Sequence, residues 1–378
     1  MIASVVSVGN MIGRSVRWLG VWVKPKYYAD ACTSKGAAYY EYEKLEVDWG
    51  RQDDYESTGK IGRGKYSEVY EGVSVINHQR VVIKILKPVR TNKVQREVSI
   101  LQKLKGGPNI IHLLDVVKDR GSNTPSLIME YVNNADFRTL YPKLTDFEIR
   151  YYIYEVLKAL DFTHSMGVIH RDIKPNNIMI DHPQRLVRII DWGLAEFYLP
   201  GKAYHVRVAS RYFKAPEFLV NYTQYDYSSD MWSLGAVLAG IVFRMEPFFH
   251  GQDNPDQLVK IAKVMGTDDL YSYMEKYKIT LESHLYDGIL GHFPRRIWTK
   301  FITVENSNIA NAQALDLLDK MLVYDHAERI TPKEALQHDY FQPVAAMWNR
   351  LNQGHSFEDS DEAYATAMAI QGRKSQAN

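Results

Sequence analysis

The stretch HRDIKPNN, residues 170–177, brings Asp172, Lys174 and Asn177 close together between an apolar helical segment and the strand-like run IMI. Asp172 can accept the proton of an attacking hydroxyl, Lys174 can neutralise charge on a phosphoryl group in transfer, and Asn177 can bind a metal ion. Asp191, in IIDWG after a second strand-like run, offers a carboxylate for the magnesium ion that bridges nucleotide phosphates. Upstream, Lys84 interrupts the apolar run VVIKIL, where a lysine is poorly placed unless it meets phosphate oxygens. Glu97, on the next helical segment, can hold that ammonium through an ion pair.

Two phosphate-binding patterns fail on the glycine-rich stretch GKIGRGKYSEVYEG. A P-loop requires a small hydroxyl where Tyr66 stands, and strand-like SEVYEGV follows where a helix should begin. A dinucleotide fingerprint lacks its third glycine, because Ser67 holds that position. What remains is a hairpin whose tip, Gly62 to Ser67, lets backbone amides approach phosphates from above. A glycine turn alone says little. Gly62, Gly64, Lys84, Glu97, Asp172, Asn177 and Asp191 in this order point to phosphoryl transfer, where positioning and charge stabilisation supply the catalysis.

A third feature is HVRVASRYFK, residues 205–214, with Arg207, Arg211 and Lys214 and no acid between Glu196 and Glu217. Such a cluster is most useful when its anion arrives from another molecule. Lys87, Arg90, Lys93 and Arg96 form a second basic group, of which the last three recur every third residue and share roughly one helix face.

These residues need elements to hold them. Ser57 to Leu86 alternates as strands do around the glycine turn, LIMEYV is another strand, and Lys93 to Leu104 has helical spacing in Val94, Val98, Leu101 and Leu104. Beyond Asn133 helices dominate. Thr145 and Glu148 form a capping box ahead of the stripe Ile149, Ile153, Val156, Leu157 and Leu160. Gln257 to Met265, Ala312 to Leu322 and Pro332 to His338 read as further helices, and Glu358 to Glu362 opens a polar tail. The pattern is α+β: a small antiparallel sheet with one main helix, then a larger helical part.

The totals narrow the function classes. With 378 residues, 46% hydrophobic and 24% charged, the chain suits a two-lobed globular protein and excludes disorder throughout. A net charge of +1 gives no global attraction to nucleic acid or an anionic membrane. The single cysteine, Cys32, excludes an internal disulfide. The longest apolar run, Met231 to Phe243, falls short of the roughly 20 residues a membrane span needs and reads as a core helix. Residues 1–29 carry Arg14, Arg17, Lys24 and Lys26 with no acid, the bias of an organelle transit peptide or of a disordered extension.

Over roughly residues 39–341 the chain resembles the protein kinase family, with Ala215-Pro216-Glu217, Asp230 before MWSLG, and Arg329 as further marks. Trp192 after the metal-binding Asp, GGPNII, EYVNN, DWGLAEFY, VRVASRYFK, EPFFHGQDN and LDLLDKMLVYDH make it similar to the catalytic (alpha) subunit of casein kinase II. That resemblance implies a bilobal fold with an amino-terminal extension over 1–38, an N-lobe over 39–131, a C-lobe over 132–345 and a tail over 346–378. It implies an ion pair between Arg329 and Glu217, and a Ser/Thr kinase that uses ATP, and GTP beside it, with Mg2+. Positions matching its nucleotide pocket are Ile61, Val69, Val82, Met129, Met179 and Ile190, with Glu130 and Val132 offering backbone groups to the base. Arg207, Arg211 and Lys214 match its site for acids just beyond the acceptor, whereas Arg90, Lys93 and Arg96 match a basic run that is diluted here by Thr91, Asn92 and Gln95. The resemblance further implies activity without loop phosphorylation, through packing of Asp48–Glu56 on the activation segment. A tetramer with two regulatory beta subunits and a place in cytoplasm and nucleus complete the expectation. Alternatives are a scaffold that binds nucleotide without catalysis, or a related kinase controlled by loop phosphorylation or a cyclin-like partner.

Overall fold

The computed structural model describes residues 22–353 apart from 65, 89, 282–285 and 287. The expectations for residues 1–21 and for the polar tail beyond 353 fall outside the described residues.

The chain enters along the larger lobe. Residues 22–38, expected to belong to a loose extension, are part of the folded body: Cys32 is fully buried with its thiol on the carbonyl of Gly167, and the Tyr28 hydroxyl donates to Asp161. The short helix α1 (Ala37–Tyr40) then brings Tyr39 and, beyond it, Tyr42 onto Phe197, at ring-centroid distances of 5.7 and 6.2 Å. Here the expectation for Asp48–Glu56 is corrected. That segment lies against the small lobe's sheet, with Gly50 N donating to the Val116 carbonyl at 2.8 Å. The contact with the activation segment comes from the aromatic residues upstream, Tyr39 and Tyr42, while the aromatics of DWGRQDDYE stay with the small lobe: Tyr55 donates to Asp115 and Trp49 lies under Lys118.

The smaller lobe is a five-stranded antiparallel sheet in the order β1-β2-β3-β5-β4: β1 (Tyr55–Arg63), β2 (Ser67–Ser74), β3 (Arg80–Leu86), β4 (Leu113–Lys118) and β5 (Pro125–Glu130). Its helix, α2 (Thr91–Lys103), buries Val94, Val98 and Leu101 as the spacing predicts. β4 carries no clear alternation, since Asp115 breaks the apolar run, and only pairing with β5 reveals it.

In the larger lobe follow α3 (Phe137–Leu140) and α4 (Asp146–Ser165), the latter started by the Thr145–Glu148 capping box, both halves of which form. Two small sheets come next, β6 (Val168–Ile169) with β9 (Glu196–Phe197) and β7 (Ile178–Asp181) with β8 (Leu186–Ile189). After α5 (Pro216–Leu219), helix α6 (Ser228–Val242) runs through the core, buried along nearly its whole length, as its uniform apolarity requires. α7 (Asn254–Met265), α8 (Asp268–Tyr277), α9 (Ala312–Met321) and α10 (Pro332–Ala335) surround it. The last helix, α11 (Gln342–Asn352), buries Val344 and Met347, so the expected tail boundary at 345 falls inside a packed element. No helix among the described residues is long and apolar enough to cross a membrane.

Candidate active site

The loop between β6 and β7 is held from below by Asp230 at the start of α6. Its Oδ2 accepts from the His170 N–H at 2.9 Å and its Oδ1 from the Arg171 N–H at 2.8 Å, while the His164 ring stands 2.9 Å from Oδ2. Burial alone would raise this carboxyl, but these bonds hold it below the usual carboxylate range. The loop backbone is thus fixed before any ligand arrives.

On that base Asp172 is oriented by every group around it. Oδ2 accepts from Lys174 Nζ at 2.7 Å and from Asn177 Nδ2 at 3.1 Å; Oδ1 accepts from the Ser210 N–H at 2.9 Å and the Ser210 hydroxyl at 3.0 Å. Lys174 also reaches Ser210 Oγ at 2.9 Å. Ser210, the sole Ser or Thr between Asp191 and Glu217, therefore joins the site. Its position inside an acid-free cationic stretch was the only signal.

Above this, Lys84 Nζ lies 2.8 Å from Glu97 Oε1 and 2.7 Å from Asp191 Oδ1. β3, α2 and the end of β8 meet at one ammonium. Burial works against that charge, and the two carboxylates overcome it, raising Lys84 above the ordinary lysine range. The attraction of Lys84 in turn holds Asp191 down at about 2, so its carboxylate is charged at any physiological pH. Asp191 sits at a φ of 60°, a left-handed conformation that a non-glycine residue keeps only where its surroundings impose it. Gly193 makes room for Glu97: a Cβ there would come 3.2 Å from Glu97 Oε2. Asn177 spends its amide donors on Asp172, which leaves Oδ1 as a hard acceptor. One carboxylate and one amide oxygen suit Mg2+, which takes few protein ligands and completes its shell with phosphate and water. A cleft of about 320 Å³ is bounded by Gly64, Ser67, Lys84, Asp172 and Asp191.

The expected nucleotide residues lie in register across the small lobe, Val69 opposite Lys84 on β2–β3 and Val82 opposite Met129 on β3–β5. Gly62 and Gly64 stand at the β1–β2 turn, and Ile61 is half exposed beside them. Met179 lies on β7 and Ile190 directly after β8. Glu130 is only partly available. Its N–H donates to the His112 carbonyl and its Oε1 accepts from Arg188 Nε at 2.8 Å and from the His112 N–H, whereas the N–H of Val132 has no partner among the described residues.

The three cations of residues 205–214 differ. Arg207 and Arg211 are exposed and have no carboxylate partner among the described residues. Lys214 is buried, its Nζ on the Val208 carbonyl, and burial pushes it down to about 8. Arg90 and Lys93 are exposed, Lys93 over the Tyr66 ring at 5.0 Å. Arg96 does not join them. It turns under α2 to Glu196 Oε2 at 3.0 Å and the Gly193 carbonyl at 3.0 Å, so the expected face of three cations holds two. Glu196 also lies 3.9 Å from Arg171 and from Lys202, a cluster the sequence reading missed. The fork between Arg329 and Glu217 forms as expected, at 2.9 and 3.0 Å and fully buried. The family model described as protein kinase domain matches residues 55–341, about three quarters of the chain.

Proposed function

We propose, from the premise that this chain belongs to the protein kinase family, that it is a constitutively active Ser/Thr kinase of the casein kinase II type. It transfers the γ-phosphoryl group of ATP, or of GTP, to hydroxyls followed by acidic residues.

One observation carries the claim of constitutive activity. Arg171, which opens the catalytic loop, and Arg96 on α2 already share a carboxylate, Glu196, in an unmodified chain. A kinase awaiting loop phosphorylation leaves such arginines without an anion until a phosphate orders them. Here Glu196 takes that place, Lys84 and Glu97 are paired, and Asp172 is aligned. The same completeness speaks against a scaffold without catalysis.

The residues divide the work as follows. Asp172, held by four hydrogen bonds, takes the proton of the acceptor hydroxyl; Lys174 stands beside it and offsets charge developing on the phosphoryl oxygens. Lys84 fixes phosphate oxygens, and Glu97 keeps its ammonium from swinging away. Asp191 and Asn177 would hold Mg2+, which when bound would offset the negative charge of the nucleotide phosphates. Arg207, Arg211 and Lys214 bind the acids beyond the acceptor. Met129, an adaptable wall, and the open N–H of Val132 support acceptance of both purines. The reading keeps a regulatory beta subunit as a partner in a heterotetramer. We place the enzyme in cytoplasm and nucleus; imaging the chain with and without residues 1–29 tests whether they redirect it.

The bacterially expressed, phosphatase-treated protein should phosphorylate a Ser peptide with acidic residues after the acceptor, using ATP or GTP. Silence until a second kinase acts on the chain overturns the reading.

A further inference from the structure

Strand β5 belongs to the smaller lobe and β8 to the larger, and one carboxylate ties them together. Glu130, the last residue of β5, places Oε1 2.8 Å from Arg188 Nε on β8, and the same oxygen accepts from the His112 N–H at 2.9 Å. The Glu130 N–H in turn donates to the His112 carbonyl at 3.0 Å. Both charged side chains are largely shielded, at 20% and 15% exposure. Shielding two charges costs about what their attraction returns, so the main effect of the pair is on geometry.

The segment leading into β4 continues the tie. Ile189 of β8 donates its N–H to the Asn109 carbonyl at 2.8 Å and accepts from the Ile111 N–H at 3.2 Å, and Ile110 and Ile189 are both buried. Residues 109–112 are therefore stitched to β8 on one side and, through His112, to the end of β5 on the other. Each end of this link borders a group that meets nucleotide. Two residues beyond Glu130 is Val132, whose N–H is left for the base. Arg188 lies opposite Met179 on β7, and three residues beyond it is Asp191, the carboxylate for Mg2+. Between them the Ile190 N–H donates to the Asn177 carbonyl at 3.0 Å, so the second metal residue is held by the same strand end.

We propose that Glu130 and Arg188 are a positioning pair, which fixes the separation between the edge that receives the purine and the carboxylate that holds the phosphate-bound metal. The pair acts through others: Val132 at one end, Asp191 and Asn177 at the other. The inference rests on the kinase reading and deepens it, from which residues meet the nucleotide to what sets the distance between them. A ligand that reaches both ends gains from a rigid separation, since contact at one end presents the other at high effective concentration. A ligand that reaches one end gains nothing from it.

Calorimetry with adenosine, and with ADP and Mg2+, tests this difference. Arg188→Met keeps the aliphatic stem and loses the guanidinium. Its affinity for ADP with Mg2+ should fall about tenfold, the worth of one charge-assisted contact, while its affinity for adenosine changes by less than about twofold. KM for ATP should rise in step, and KM for the peptide should stay. Glu130→Gln should repeat the pattern, and the double variant should bind no more weakly than either single one, because one link is broken only once. Arg188→Lys, which returns a cation to the carboxylate, should recover part of the loss. Equal losses for adenosine and ADP would make the pair a support of the base edge alone and overturn the proposal. Unchanged affinity for ADP, or losses that add in the double variant, would overturn it too. An unaltered chain that binds neither ligand would instead strike the kinase reading.

Discussion

Two arginine groups meet one segment of this chain and do opposite things. At its beginning Glu196 gathers Arg96, Arg171 and Lys202, with Arg96 and Glu196 largely buried. Further on, Arg207 and Arg211 point into solvent with no acid between Glu196 and Glu217. The residue type is the same and the counterion differs. Cations whose anion is built in are structural and lock the loop they touch. Cations whose anion is missing are available to another molecule.

The comparison breaks most visibly at Glu196. Glu196→Gln keeps the shape but leaves two guanidinium groups without their carboxylate in a poorly hydrated site, which costs about 3–5 kcal/mol when a buried pair is broken. We expect the thermal midpoint to fall by several degrees and kcat to drop with every substrate, acidic or not, because Arg171 precedes Asp172. A variant that melts like the parent and turns over normally would mean that the Glu196 cluster does not hold the catalytic loop.

The second group should respond in the other way. Replacing Arg207 and Arg211 together by Ala removes no internal bond, so the melting temperature should not move. Activity on an acidic peptide should fall about 10- to 100-fold in kcat/KM, from the loss of one or two charge-assisted contacts, while ATP hydrolysis without peptide persists. The loss should shrink in high salt, since exposed charges are screened. Equal losses in both assays would make this group structural too, and the contrast with Glu196 would vanish.

Much of this contrast is legible in the sequence, and the part that is not has a physical cause. Asp172, Lys174, Asn177 and Asp191 are legible because their roles impose residue type at short spacing, and Lys84 because a lysine inside VVIKIL conflicts with its strand. The α4 cap is equally local. Arg96 was misread because three-residue spacing on α2 says which residues share a face, not whether a carboxylate 100 positions later lies beneath it. Ser210 acts through contacts across 38 residues of chain, which no local pattern encodes, and Asp230, legible as a family mark before MWSLG, shows what it holds only through contacts across 60 residues. The amino-terminal strap was placed too late in the sequence for a related reason. Its aromatic residues have no periodicity, and only Phe197, far along the chain, explains them.

Lys214 lies between the two groups, and its titration is the finest test of the contrast. Burial takes its ammonium from the ordinary 10.5 to about 8, with Arg211 adding to the shift and Asp172 opposing it. Below pH 8 the lysine is charged and contributes to binding of substrate acids; above it the charge is lost, while Arg207 and Arg211 keep theirs. We expect KM for an acidic peptide to rise roughly threefold between pH 7 and pH 9, the loss of one screened cation, with KM for nucleotide unchanged. Stability should move the opposite way. The unfolded chain binds this proton up to about pH 10.5 and the folded chain releases it from about pH 8, so unfolding becomes harder as pH rises through that window. Lys214→Arg, which cannot titrate in this range, should flatten the KM profile. If the profile stayed steep in Lys214→Arg, the titrating group would lie elsewhere, and Lys214 would belong with the built-in pairs.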